Sequence, residues 1–180
     1  MNETLATYFD GEKNAGLLVA GVGLAVLGAA AVLFPERWGL RSFAITLAVG
    51  GVLEVALGVG LYSKTGPQVA KLVGQLASDP AGFYATEQAR MAIVQRNFAY
   101  LEFGWLALIG SCAAVAVWKK HAPGASGVAL GLLLTVVVIL AFDLVAERRG
   151  AVYLDALGRR GAAGGPAPAA AAAGTTGAPR

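Results

Sequence analysis

Three acidic side chains stand inside stretches of sequence otherwise apolar enough to cross a bilayer: Glu54, Glu102 and Asp143. A carboxylate at the centre of a membrane helix costs roughly 2.5–3.5 kcal/mol on insertion scales, against a gain of about 0.5 kcal/mol for each Leu or Val. A chain keeps such residues only with compensation, and two kinds suit a carboxyl group. One is chemical: a lined cavity in which the acid exchanges a proton or meets a cation. The other is structural: a protonated acid donates a hydrogen bond to a backbone carbonyl of a packed helix and fixes its register.

The elements that must position these acids follow from composition. Of the 180 residues, 57% are hydrophobic and only 14% charged, well below the quarter or so usual in soluble domains. Four apolar runs stand out, at about 15–34, 42–62, 97–118 and 124–145. Each is about 20 residues long, enough at 1.5 Å per residue to cross roughly 30 Å of hydrocarbon. The expected fold class is all-α: a four-transmembrane-helix bundle, its membrane domain covering 15–157. Residues 1–14 read as an N-terminal arm. The first run is preceded by Glu3, Asp10 and Glu12 against a single Lys13, which argues for a retained anchor over a cleaved signal.

Orientation follows from the basic residues. Lys13, Lys64, Lys71, Arg90, Arg96, Arg148, Arg149, Arg159, Arg160 and Arg180 fall on one side and Arg37, Arg41, Lys119 and Lys120 on the other. The positive-inside rule then places both termini in the cytoplasm of an inner membrane. Trp38 and Trp118 near the outer ends, with Tyr62 and Tyr100 near the inner ones, suit aromatic belts. The 63–96 segment between spans two and three reads as a helical cytoplasmic loop. Pro67 suits a first helical turn, and Val69, Leu72, Val73 and Leu76 recur at helical spacing, predicting one apolar face on the bilayer or the bundle. Asp79 before Pro80 predicts an N-cap, and no breaker follows until Pro123, so helix three is expected to run from the cytoplasm into the membrane. From 158 to 180 the chain becomes rich in Ala, Gly and Pro and reads as a disordered tail, dispensable from Gly161 onward.

Within these spans Glu54 lies within about 3 Å of the middle, while Glu102 is about 8 Å and Asp143 about 12 Å toward the cytoplasm. Asp143 has a bland account as a helix-end residue pairing with Arg148 or Arg149. Glu102 could meet Arg96, Asn97 or Arg148 as an internal ion pair, or belong to a hydrated inner vestibule. Glu54 has no basic residue at its depth. Gly50 and Gly58, one turn to either side, predict a groove beside it that a helix, a water or a cation could enter. Gly21, Ala25 and Ala29, with Gly110 and Ala114, have the four-residue spacing of helix contact faces.

Several chemistries find no support. Cys112 is the only cysteine and His121, in a loop, the only histidine, so no CxxC pair and no cysteine or histidine metal site is expected. No cofactor motif is present. The net charge of +3 is spread over many loops, which argues against a nucleic-acid surface. No nucleophile and base pair marks an enzyme.

Thr65-Gly66-Pro67-Gln68-Val69-Ala70, Asp79-Pro80, Phe83, Arg90-Met91, Arg96-Asn97-Phe98, Asp143 and Ala146-Glu147-Arg148-Arg149-Gly150 together resemble a group of small bacterial four-span integral membrane proteins with no established activity. The resemblance covers roughly 15–157. It implies the four-span architecture and a bacterial origin, and carries no catalytic residue onto this chain. The expected partners are the lipid bilayer and a second copy or another membrane protein. Two functions stand open: a scaffold or accessory subunit, favoured because a lone mid-membrane acid makes a poor relay, and an oligomeric proton- or cation-coupled transporter using Glu54 and Glu102.

Overall fold

A computed structural model describes residues 2–35 and 38–164. The described chain is all-α, with four helices: α1 (Asn2–Leu33), α2 (Trp38–Ser78), α3 (Pro80–Trp118) and α4 (Pro123–Gly164). Each contains a stretch long and apolar enough to cross a membrane, which makes this a membrane protein. The longest helices, of 41 and 42 residues, measure about 60 Å, twice the thickness of the hydrocarbon.

The surplus length gathers at one end, where the start of α1, the α2–α3 turn and the end of α4 meet. There Leu5 and Phe9 of α1, Leu72 of α2, Phe83 and Met91 of α3, and Tyr153 and Leu157 of α4 form one buried cluster. Residues 2–14 are therefore the first turns of α1, continuous with its membrane stretch, and they carry core side chains. The sequence does not advertise this packing, because Glu3, Asp10 and Glu12 dilute the apolar pattern, although Leu5 and Phe9 are spaced to share one helix face.

The separate helix expected to begin at Pro67 does not form. α2 runs straight through that proline. Proline removes one backbone donor and costs about 3 kcal/mol inside a helix. Burial of Leu72, with Val69 and Leu76 packed against the same cluster, holds the helix on. Val73 points away and is exposed, so the predicted apolar face loses that member. The predicted cap is present: the Gly82 N–H donates to Asp79 Oδ1 at 2.9 Å, and Pro80 opens a continuous α3. A single residue thus turns α2 into α3. At the other terminus α4 continues to Gly164, and a methyl group added to Gly161 would lie 2.8 Å from Gln88 Nε2. Most of the tail expected to be disordered lies outside the described residues.

Helix neighbours are unequal. α1 lies along α2, α2 along α4, and α4 along α3, whereas α3 barely meets α2. Buried positions recur every seven residues: Phe9, Gly16, Gly23 and Ala30 in α1, and Ala44, Gly51, Gly58, Thr65 and Leu72 in α2. A seven-residue period is the seam of left-handed helix packing. On this seam backbones nearly touch, since a Cβ at Gly23 would stand 2.7 Å from the Gly51 carbonyl and one at Gly16 2.8 Å from that of Gly58. The four-residue faces read from the sequence do not pack within the chain. Gly21, Ala25, Ala29, Gly110 and Ala114 are all exposed, and nothing lies within 4 Å of the space beside Gly21 or Gly110.

Candidate functional site

Glu54 occupies the buried stripe of α2 between Gly51 and Gly58 and is 1% exposed. Neither carboxylate oxygen has a hydrogen-bond partner. The side chain lines a cavity of about 290 Å³ bounded by α1, α2, Phe98 of α3, and α4. Lining residues step from Glu54 through Leu57 and Gly58 to Leu61 on α2, from Val19 through Ala15 to Glu12 on α1, and from Ile139 through Asp143 to Arg149 on α4. The cavity therefore extends about 10–15 Å from Glu54 toward the end that carries the termini.

On the far side of Glu54 the helices close. α1 and α2 touch through Gly23 and Gly51, and Gly50 is packed directly against the Thr135 side chain of α4. The groove expected between Gly50 and Gly58 is thus occupied at both ends, by Thr135 at Gly50 and by the α1 backbone at Gly58, where Gly16 and Ala20 come close. Glu54 itself is left facing the cavity.

The other two acids have neighbours of their own. The Trp105 indole N–H donates to Asp143 Oδ2 at 2.7 Å, so this carboxylate on the cavity wall is held from α3. Glu102 sits beside Glu147 with Asp143 nearby, and its buried Oε1 has no hydrogen-bond partner. Arg96, Asn97 and Arg148, expected to neutralise Glu102, are exposed and do not line the cavity. The inward-facing arginine is the next residue: Arg149 lines the cavity and donates through a terminal guanidinium nitrogen to the Gly11 carbonyl of α1. A one-residue step turns a helix position by about 100°, and nothing in an Arg-Arg pair says which member turns inward.

Glu12 closes the acidic lining at the terminal end and accepts a hydrogen bond from Tyr8 Oη at 2.8 Å. Burial raises its carboxyl above the ordinary range, while the Tyr8 hydrogen bond and the guanidinium groups of Arg90 and Arg149 pull it back. Tyr8 stacks on Tyr153 with ring centroids 4.4 Å apart, and burial pushes both phenols upward, so they remain donors. Next to them Glu87, 2% exposed, receives Arg90 through Nε at 2.7 Å and a terminal nitrogen at 2.6 Å, with the Tyr153 hydroxyl at 3.3 Å. This paired geometry satisfies a buried charge. Gln95 Nε2 donates to the Glu147 carbonyl at 3.1 Å and Gln88 Nε2 to the Leu157 carbonyl at 3.0 Å, tying α3 to α4 on either side of Tyr153 along α4.

Among the described residues no three His, Cys, Asp or Glu side chains are close enough to share a metal ion. Cys112 is buried at the opposite end of α3, remote from the cavity. No known protein family matches the chain, and no curated protein and no solved structure is similar to it. The site is therefore judged on its own chemistry. It is a pocket with mostly apolar walls, three carboxyl groups and one guanidinium, in which only the deepest carboxyl has neither oxygen committed.

Proposed function

We propose that this chain is a bacterial inner-membrane protein, a four-helix bundle with both ends and the α2–α3 turn in the cytoplasm, whose vestibule delivers a proton or a cation to Glu54. The orientation rests on ten basic residues on the terminal side against four on the other. In this reading the 63–96 segment is a helical hairpin that stands out of the membrane, and the vestibule opens toward the cytoplasm.

The observation that carries the functional reading is Glu54: fully buried, unpartnered at both oxygens, and at the deep end of a cavity. A structural acid would have its hydrogen bond to a neighbouring backbone, since an unsatisfied buried carboxyl costs several kcal/mol in an apolar setting. An exchangeable acid needs uncommitted oxygens beside a cavity, and Glu54 has both oxygens uncommitted and lines one. Asp143 then serves as an acid along the wall, with Glu102 near it but outside the lining, and the close contacts of Gly23 with Gly51 and Gly50 with Thr135 shut the path to the outside in this conformation. Transport requires these contacts to part.

The scaffold reading draws on a different observation. In its membrane stretch α3 has only Cys112 buried and leaves open space beside Gly104 and Gly110, so another helix could lie against it. A partner there, a second copy included, is compatible with a vestibule at Glu54.

Purified protein reconstituted into vesicles containing a pH-sensitive dye separates the two. After an external pH jump, vesicles with wild-type protein are expected to equilibrate protons faster than empty ones. Glu54→Gln, which keeps the shape and removes the exchangeable proton, is expected to return the rate to that of empty vesicles. Glu54→Asp should retain part of the flux. Equal flux in wild type and Glu54→Gln would leave the scaffold reading in place.

A further inference from the structure

We propose that the vestibule binds a lipophilic organic monocation, with the Glu54 carboxylate as its counter-ion; the inference rests on the reading of Glu54 as the exchangeable acid. Two features of the cavity define the ligand class. The first is charge placement. Asp143 is engaged by Trp105, Glu12 by Tyr8, and Arg149 by the Gly11 carbonyl, so Glu54 alone offers two free oxygens. The titratable and charged groups that share the cavity with it are Glu12 from α1 and Asp143 and Arg149 from α4, while α3 contributes only Phe98. Three acids against one base make the lining acidic.

The second feature is the wall. Val19, Leu57, Ile139, Phe98 and Phe142 surround the path to Glu54 and offer aliphatic and aromatic surface, and among the described residues no three His, Cys, Asp or Glu side chains cluster to replace the hydration of a metal ion. A small inorganic cation would lose its water for one carboxylate. An organic ammonium is less strongly hydrated and buries its hydrocarbon on a wall that includes Phe98 and Phe142, aromatic rings of the kind that attract such cations. A volume of about 290 Å³ is at the lower end for small-molecule sites and holds several times one water's share of about 30 Å³.

Pairing with a cation requires the carboxylate form of Glu54, so ligand and proton compete for one site. Calorimetric titration of the full-length protein in mild detergent with benzyltrimethylammonium, whose charge does not vary with pH, is expected to show saturable binding, release of a proton, and an affinity rising about tenfold per pH unit while Glu54 is protonated in the free protein. Its uncharged carbon isostere and benzenesulfonate are expected to bind at least about tenfold more weakly. Glu54→Gln should lose the pH dependence together with about tenfold or more in affinity, and Glu54→Asp, with charge retained, should keep the pH dependence. Wild-type gel-filtration behaviour of both variants shows that the fold is intact. Equal binding of the uncharged isostere, undiminished binding by Glu54→Gln, or no binding of the ammonium would overturn the inference. If ammonium binding is absent while proton flux still depends on Glu54, the ligand class is wrong and the proton reading survives; if that dependence is absent as well, both fall.

Discussion

Replacing Phe9 by Ala is expected to destabilise the protein by about 3–5 kcal/mol, the usual cost of truncating a fully buried aromatic side chain. Phe9 is 1% exposed and meets Tyr8 and Tyr153 edge-on, at centroid distances of 4.9 and 6.2 Å. It lies outside the four apolar runs read from the sequence, in the buried cluster that α1 shares with α2, α3 and α4; in the proposed topology this cluster stands in water, where the hydrophobic effect acts on it at full strength. The comparison is Phe103→Ala: Phe103 is 75% exposed in the membrane stretch of α3, and its loss exchanges one lipid contact for another. Thermal unfolding in mild detergent should show a large drop for Phe9→Ala and little change for Phe103→Ala. Equal stabilities for Phe9→Ala and wild type would mean that residues 2–14 do not pack where the structure places them.

The second large effect belongs to the glycine seam. Gly51→Leu and Gly23→Leu are each expected to prevent α1 and α2 from closing, with loss of folded protein from the membrane. The Cβ of a side chain at Gly51 would stand 2.8 Å from the Gly23 carbonyl and 2.9 Å from Leu27 Cγ, and at Gly23 2.8 Å from the Val55 nitrogen. The obstacle is largely backbone, which no rotamer change relieves. A single added methylene in a packed interior costs about 1–3 kcal/mol, and a whole leucine between touching helices costs more. Gly21→Leu and Gly28→Leu, where nothing lies within 4 Å, should accumulate normally. Membrane yield and gel filtration of the four variants provide the check. Normal yield from both Gly51→Leu and Gly23→Leu would show that α1 and α2 do not cross where the structure places them.

Much of this architecture was legible in the chain. Four apolar runs gave four helices, and Asp79-Pro80 gave both the cap and the start of α3. Two things were hidden for physical reasons. The helices continue well beyond the apolar runs because their outlying halves pack on each other around Leu5, Phe9, Leu72, Phe83 and Tyr153, and helices with one apolar face carry a mixed pattern that a search for apolar runs passes over. Pro67 reinforced the error, since local propensity assigns it to a helix start whereas the cluster around Leu72 carries α2 past it. The packing seam was hidden by period. A four-residue spacing selected Gly21 and Ala25, which face outward, while the seam follows the seven-residue spacing of Gly16 with Gly23 and of Gly51 with Gly58. At the site, Glu54 stood out because of its cost in lipid, and it is the acid that the structure leaves unpartnered. Glu12 and Arg149 did not, because a charged residue next to a span is ordinary in sequence and becomes part of a cavity only when helices converge.

The central claim is that a cytoplasm-facing vestibule reaches Glu54 at mid-membrane. Thiol labelling tests it most directly. In a Cys112→Ala background, Glu54→Cys and Ile139→Cys are expected to react with a small, membrane-impermeant cationic methanethiosulfonate applied to the cytoplasmic face of inside-out vesicles, and to be protected from the same reagent on the outer face. Leu53→Cys, one position away and 52% exposed on the lipid-facing surface, should stay unlabelled from both sides, because a thiol in hydrocarbon does not ionise. Labelling of Glu54→Cys and Ile139→Cys from the cytoplasm alone, with Leu53→Cys silent, is the result this account predicts; silence at both cavity positions, or reaction only from the outer face, would contradict it.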